Sequence, residues 1–93
     1  MERDGPWFCY MLECRDKSLY IGAAKDPAER VRRHNWGVGA QYTAKRLPVK
    51  LIWQEEHADE ASARKREAEL KGWRREKKLA LLRTNPSSKN GLG

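Results

Sequence analysis

Ninety-three residues suffice for one small domain with a thin core. Hydrophobic residues make up 39% and charged residues of both signs 35%, with four tryptophans, a composition that excludes wholesale disorder. The net charge of +7 favours a polyanionic partner, nucleic acid first, and no run is apolar enough for a membrane span or secretory signal, so a cytoplasmic protein is expected.

Residues 1–6 are polar, with Gly5-Pro6, and read as a loose lead-in. The aromatic-rich run Trp7-Phe8-Cys9-Tyr10-Met11-Leu12-Glu13-Cys14 predicts a central strand. Arg15–Ser18 is a turn, and Leu19–Ala24 returns antiparallel as a second strand. Side chains alternate along a strand, so Phe8, Tyr10 and Leu12 share one face, and Tyr20 and Gly22 share one face of its neighbour. Tyr10 and Tyr20 can therefore look the same way. Cys9 and Cys14 point to opposite faces, which argues against a local disulfide. With His34 and His57 they lack zinc-ligand spacing, leaving buried, reduced thiols.

Asp26 is placed to cap a helix over Pro27–Asn35, with Pro27 in its first turn and Glu29 three residues past the cap. Residues 36–47 read as a loop opened by Gly37 and Gly39. Pro48–Glu55 alternates as a third strand, with Val49, Leu51 and Trp53 on one face. A second helix starts at Asp59 or Glu60 and ends near Gly72. A third runs from Trp73 or Arg74 to about Leu82. Residues 84–93, with Asn85-Pro86 and Asn90-Gly91, read as a disordered tail, leaving one domain over 7–83. The order ββαβαα gives a small α+β domain.

Several side chains have both a plain and a chemical reading. Arg30 and His34 lie four apart on one helix face. They suit a solvated surface, but an arginine can also grip a phosphate bidentately and a histidine can bind it or exchange protons. Tyr10 and Tyr20 are ordinary strand residues unless a metal or nearby cations lower the phenolic pKa from about 10. Ala63, Glu67 and Leu70 fall on one helical stripe, so Glu67 sits among apolar positions. It must be paired, either with Lys71 or Arg64 within one turn, or with a hard cation such as Mg²⁺. In the loop, Gly37 and Gly39 allow close backbone approach, Tyr42 offers a stacking face, and Lys45 and Arg46 offer charge, a combination suited to nucleic acid. Gly37-Val38-Gly39-Ala40 is neither a dinucleotide nor a P-loop fingerprint.

Together these segments resemble the GIY-YIG endonuclease superfamily. Tyr20-Ile21-Gly22 is an intact second triplet, and Phe8-Cys9-Tyr10 is a first triplet reduced to its tyrosine. Arg30 and His34 match the family's helix residues, and Glu67 its metal-binding glutamate. The likeness spans about Trp7 to Leu82 and is closest to small stand-alone bacterial members. It implies a three-stranded antiparallel sheet flanked by helices and hydrolysis of DNA phosphodiesters with Mg²⁺ or Mn²⁺. In that scheme Tyr10 and Tyr20 orient or deprotonate the attacking water, Arg30 stabilises the transition state, His34 assists and Glu67 holds the metal. Arg33, Tyr42, Lys45 and Arg46 would bind nucleic acid. Asn85 is the nearest match to a further family asparagine. Lacking an added DNA-recognition domain, the chain is expected to select DNA structure rather than sequence, with DNA ahead of RNA and with room for a protein partner that supplies recognition. The rival expectations are a nucleic-acid-binding module without turnover and an adaptor for an acidic protein.

Overall fold

Strand β1 (Trp7–Glu13) lies at the centre of the sheet because its middle residues are apolar on both faces. Cys9, Tyr10, Met11 and Leu12 are each 0% exposed. A computed structural model describes residues 6–37 and 41–84. Residues 1–5 of the lead-in, Gly39 of the loop, and residues 85–93 of the tail over 84–93, Asn85 among them, lie outside the described residues. β2 (Leu19–Ala24) and β3 (Lys50–His57) flank β1 in the order β2-β1-β3, and both pairings are antiparallel. In the β1–β2 turn, Asp16 accepts from the Ser18 backbone N–H and hydroxyl, and Lys17 takes the left-handed conformation at φ 74°.

Helix α1 (Pro27–Asn35) begins as its sequence directs: the Asp26 side chain accepts from the Glu29 N–H at 3.2 Å, and Pro27 occupies the first turn. Pro27, Val31 and His34 form its inward stripe at i, i+4 and i+7. After β3, α3 (Glu60–Lys71) is capped by Asp59, which accepts from the Ser62 N–H, and ends at Gly72. α4 (Arg75–Thr84) follows. The two faces of the sheet carry separate cores. One joins Cys9, Met11, Ile21 and Trp53 to Leu70 of α3 and Leu81 of α4. The other joins Tyr10, Leu12, Cys14, Ala24 and Val49, with Val31 of α1 packed against it. Both cysteines are buried and free, on opposite faces.

Three expectations need correction. The loop over 36–47 contains a one-turn helix, α2 (Gln41–Ala44), too short to show a hydrophobic period. The third strand starts at Lys50, not Pro48. Pro48 has no N–H to donate, and both backbone groups of Val49 are taken by the Asn35 side chain, which accepts from Val49 N at 2.8 Å and donates to Val49 O at 3.1 Å. Nor do Val49, Leu51 and Trp53 share a face. Leu12 pairs with Leu51 but Met11 with Trp53, so Ile52 is an extra residue at a β-bulge. One inserted residue reverses strand parity, placing Trp53 in one core and Val49 and Leu51 in the other.

Candidate active site

Register sets the first part of the site. Tyr10 is opposite Gly22 and Leu12 is opposite Tyr20, so both tyrosines project from the same face, the one that α1 covers. Gly22 is glycine for a steric reason. A β-carbon there would stand 2.6 Å from both Cζ and Oη of Tyr10, which packs across the space.

Helix α1 brings Arg30 and His34 to this face. Arg30 acts on the Tyr10 phenol through its charge and a side-chain hydrogen bond. His34 is 2% exposed, packs edge-on against Tyr20 with ring centroids 5.3 Å apart, and shares a 2.6 Å hydrogen bond from Nδ1 with the hydroxyl of Thr43 in α2. Thr43 is itself 0% exposed. Helix α3 contributes Glu67, whose side chain is 15% exposed and lies within electrostatic reach of Tyr10. Its carboxylate is gripped by Lys71 Nζ at 3.1 Å and Arg64 Nη1 at 3.5 Å, both of the ion pairs its helix position allows.

Burial dominates the titration of Tyr10, His34 and Cys9. It pushes the Tyr10 phenol up to about 12, with Tyr20 and Glu67 acting the same way and Arg30 opposing. Tyr10 is therefore a neutral phenol at neutral pH. Burial, and then the charge of Arg30, hold the His34 pKa below its usual 6.5, so its imidazole is neutral too. Burial likewise pushes the Cys9 thiol up to about 12, which makes it inert. The cluster thus presents one guanidinium, two phenols, a neutral imidazole and one carboxylate. Among the described residues no three His, Cys, Asp or Glu side chains gather as a preformed metal site. A single carboxylate still fits Mg²⁺ or Mn²⁺, which keep several waters and take further oxygens from a phosphate.

Of the residues expected to touch nucleic acid, Arg33 adjoins His34 on α1, and Lys45 and Arg46 follow α2. Arg33 and Lys45 are exposed. Arg46 Nε donates to Asp16 at 3.1 Å and helps hold the β1–β2 turn. The side chain of Tyr42 lies outside the described residues. Three residues were not foreseen for the site: Thr43, Asn35 and Trp36, whose indole is 77% exposed at the end of α1. Nothing local marks the first two, since their partners are nine and fourteen residues distant.

A family model described as the GIY-YIG catalytic domain matches residues 6–80. The chain belongs to the GIY-YIG family. A UPF0213 protein of Staphylococcus aureus is 49% identical over 76 residues, covering 82% of this chain and 93% of the relative. The solution structure of a UPF0213 protein from Bacillus halodurans is similar with a TM-score of 0.56 at 31% identity, covering 95% of this chain and 97% of that one. A solution structure from E. faecalis gives a TM-score of 0.56 at 38% identity, with 87% and 88% covered. GIY-YIG membership implies a nuclease domain acting on nucleic acid. No helix among the described residues is long and apolar enough to cross a membrane.

Proposed function

We propose that this GIY-YIG domain is a metal-dependent endonuclease that hydrolyses DNA phosphodiester bonds in the cytoplasm, choosing strand structure over base sequence, in repair or recombination. The observation that supports it best is the convergence of Arg30, Tyr20 and Glu67 on the buried phenol of Tyr10. Phosphodiester hydrolysis needs an oriented water, a cation against the phosphorane-like charge, and a carboxylate to hold a metal. Arg30, exposed and forked, would take the non-bridging oxygens of the scissile phosphate. Tyr10 is protonated and held by its own packing, and so would act as a hydrogen-bond donor. Tyr20, half-buried and against His34, would orient the attacking water. His34 has Nδ1 committed to Thr43, which leaves Nε2 for proton exchange. Glu67 would hold Mg²⁺ or Mn²⁺, and the ion would supply Lewis acidity to the phosphate and lower the pKa of bound water. Exposed Arg33, Lys45 and Trp36 would contact phosphates and stack on an unpaired base, with base recognition left to DNA structure or to a protein partner.

One observation favours the rival reading of a binding module without turnover: Glu67 is neutralised by two cations of its own helix. Cleavage of a labelled panel (single strand, duplex, flap and four-way junction) separates the two. The panel is run with Mg²⁺, Mn²⁺ or chelator. Metal-dependent products that vanish in Glu67→Ala, while DNA affinity persists, are expected. Binding without products from the wild type would establish the module.

A further inference from the structure

β2 is an edge strand, paired only with β1. Beyond its free edge lies a groove of about 320 Å³ lined by Leu19, Tyr20, Ile21, Lys71 and Lys78. Its floor belongs to the strand that carries Tyr20, and its two cations come from different helices, Lys71 from α3 and Lys78 from α4. Lys78 is half-buried and enters no ion pair among the described residues. A lysine whose stem is partly covered and whose ammonium has no carboxylate partner keeps its charge available to an anion. Lys71 is different: it lines the groove, but its ammonium is paired with Glu67 at 3.1 Å.

We propose that this groove binds a backbone phosphate of the nucleic acid next to the scissile one, and that Lys71 divides its time between the groove and Glu67. The inference rests on the nuclease reading above and adds to it a phosphate subsite and a coupling. A divalent cation on Glu67 would repel the adjacent ammonium. Lys71 has a flexible four-carbon stem, so its released charge moves into the groove it already borders. Lys78 supplies a constant charge, and Lys71 supplies one only when the carboxylate is metal-loaded. Metal binding and phosphate binding then strengthen each other, as linkage requires of two sites that share one group. Phosphate suits the groove better than an acidic side chain because the groove shares Tyr20 with the proposed cleavage site, so a strand held in it would lie beside the phosphate being cut.

The test uses the full chain and a fluorescent single-stranded oligonucleotide, with affinity read by anisotropy over a salt series in chelator and in Ca²⁺. Lys78→Ala is expected to weaken binding about five- to tenfold and to reduce the slope of log K against log salt by about one. Lys65→Ala, an exposed α3 lysine outside the groove, controls for net charge and is expected to cost less than half of that slope change. Lys71→Ala is expected to leave affinity unchanged in chelator and lower it severalfold in Ca²⁺. The same variant, free of DNA, is expected to bind Mn²⁺ severalfold more tightly by electron paramagnetic resonance, since no ammonium competes for Glu67. An unchanged salt slope in Lys78→Ala overturns the subsite while metal-dependent cleavage by the wild type leaves the nuclease reading standing. Equal effects of Lys71→Ala in chelator and Ca²⁺, with unchanged Mn²⁺ affinity, overturn the sharing. If a polyglutamate peptide loses binding in Lys78→Ala and the oligonucleotide does not, the groove belongs to an acidic protein. A wild type that neither binds nor cuts DNA overturns both readings.

Discussion

Tyr10 and Gly22 are cross-strand partners that occupy one side chain's worth of space between them: a β-carbon at Gly22 would lie 2.6 Å from the Tyr10 hydroxyl oxygen. The glycine of the second triplet is thus the seat of the tyrosine of the first. With Tyr10 fully buried, the ring has nowhere to retreat. Gly22→Ala is expected to destabilise the domain by about 1–3 kcal/mol and to lower cleavage by displacing the phenol from Arg30. In a Tyr10→Leu background the same substitution is expected to cost less than half as much, because the shorter side chain leaves room. Urea melts of the four proteins in the cycle measure this, and equal costs in both backgrounds would remove the steric account.

His34 ties stability to pH. Burial and the charge of Arg30 hold its folded pKa below 6.5, while in the unfolded chain it takes a proton near that value. In mild acid the unfolded state therefore binds more protons, so its contribution is complete above about pH 6.5 and is lost as pH falls below it. Asp16 and Asp59, held below the usual carboxylate range by bonds from Ser18 and Ser62, titrate in stronger acid and stay out of that window. Urea melts at pH 7.5 and 5.5 are expected to show a loss in the wild type that shrinks in His34→Gln. An identical loss in both proteins would place the acid sensitivity elsewhere.

Arg30 separates rate from stability. Its side chain is exposed and its tie to the core is to the Tyr10 phenol alone, so Arg30→Ala is expected to shift the melt by no more than about 1 kcal/mol. Cleavage should fall about 10²–10³-fold through loss of charge stabilisation at the phosphate. Arg30→Lys is expected to recover little of this, since an ammonium cannot match the planar fork of a guanidinium. Single-turnover rates beside thermal melts check both halves. If Arg30→Ala instead unfolds the domain, its bond to Tyr10 is structural.

What could be read in the sequence was local. Asp26 and Asp59 cap where a short polar residue before a helical run should, and the ion pairs of Glu67 follow from i−3 and i+4 spacing. Two-residue parity also placed Tyr10 and Tyr20 on one face, because the hairpin register is regular. Parity failed in β3 because Val49, Leu51 and Trp53 have the same spacing with or without a bulge, and only pairing with β1 exposes Ile52 as the extra residue. The support beneath the site was illegible for a related reason. A threonine after a glycine-opened loop carries no sign that it will meet His34. The grip of Lys71 on Glu67 was legible, but its place in the groove beside Tyr20 depends on how α3 and α4 pack on β2.

Asn35 offers the sharpest test of how the site is held. Its amide imitates a strand neighbour, accepting from the N–H of Val49 and donating to its carbonyl. It thereby fastens the end of α1, one residue past His34, to the chain entering β3. Val49 is 4% exposed, so removing the amide strands two backbone groups away from water. Asn35→Ala is expected to cost about 1–3 kcal/mol. Asn35→Asp keeps the acceptor for the N–H but sets a carboxylate oxygen against the Val49 carbonyl, so it should restore no more than part of that loss. Because His34 is carried on the same turn, both variants should also speed hydrogen exchange at the Val49 amide and broaden the His34 imidazole signals in NMR spectra. A stability loss with His34 undisturbed would mean that α2, through Thr43, positions the imidazole without help from β3.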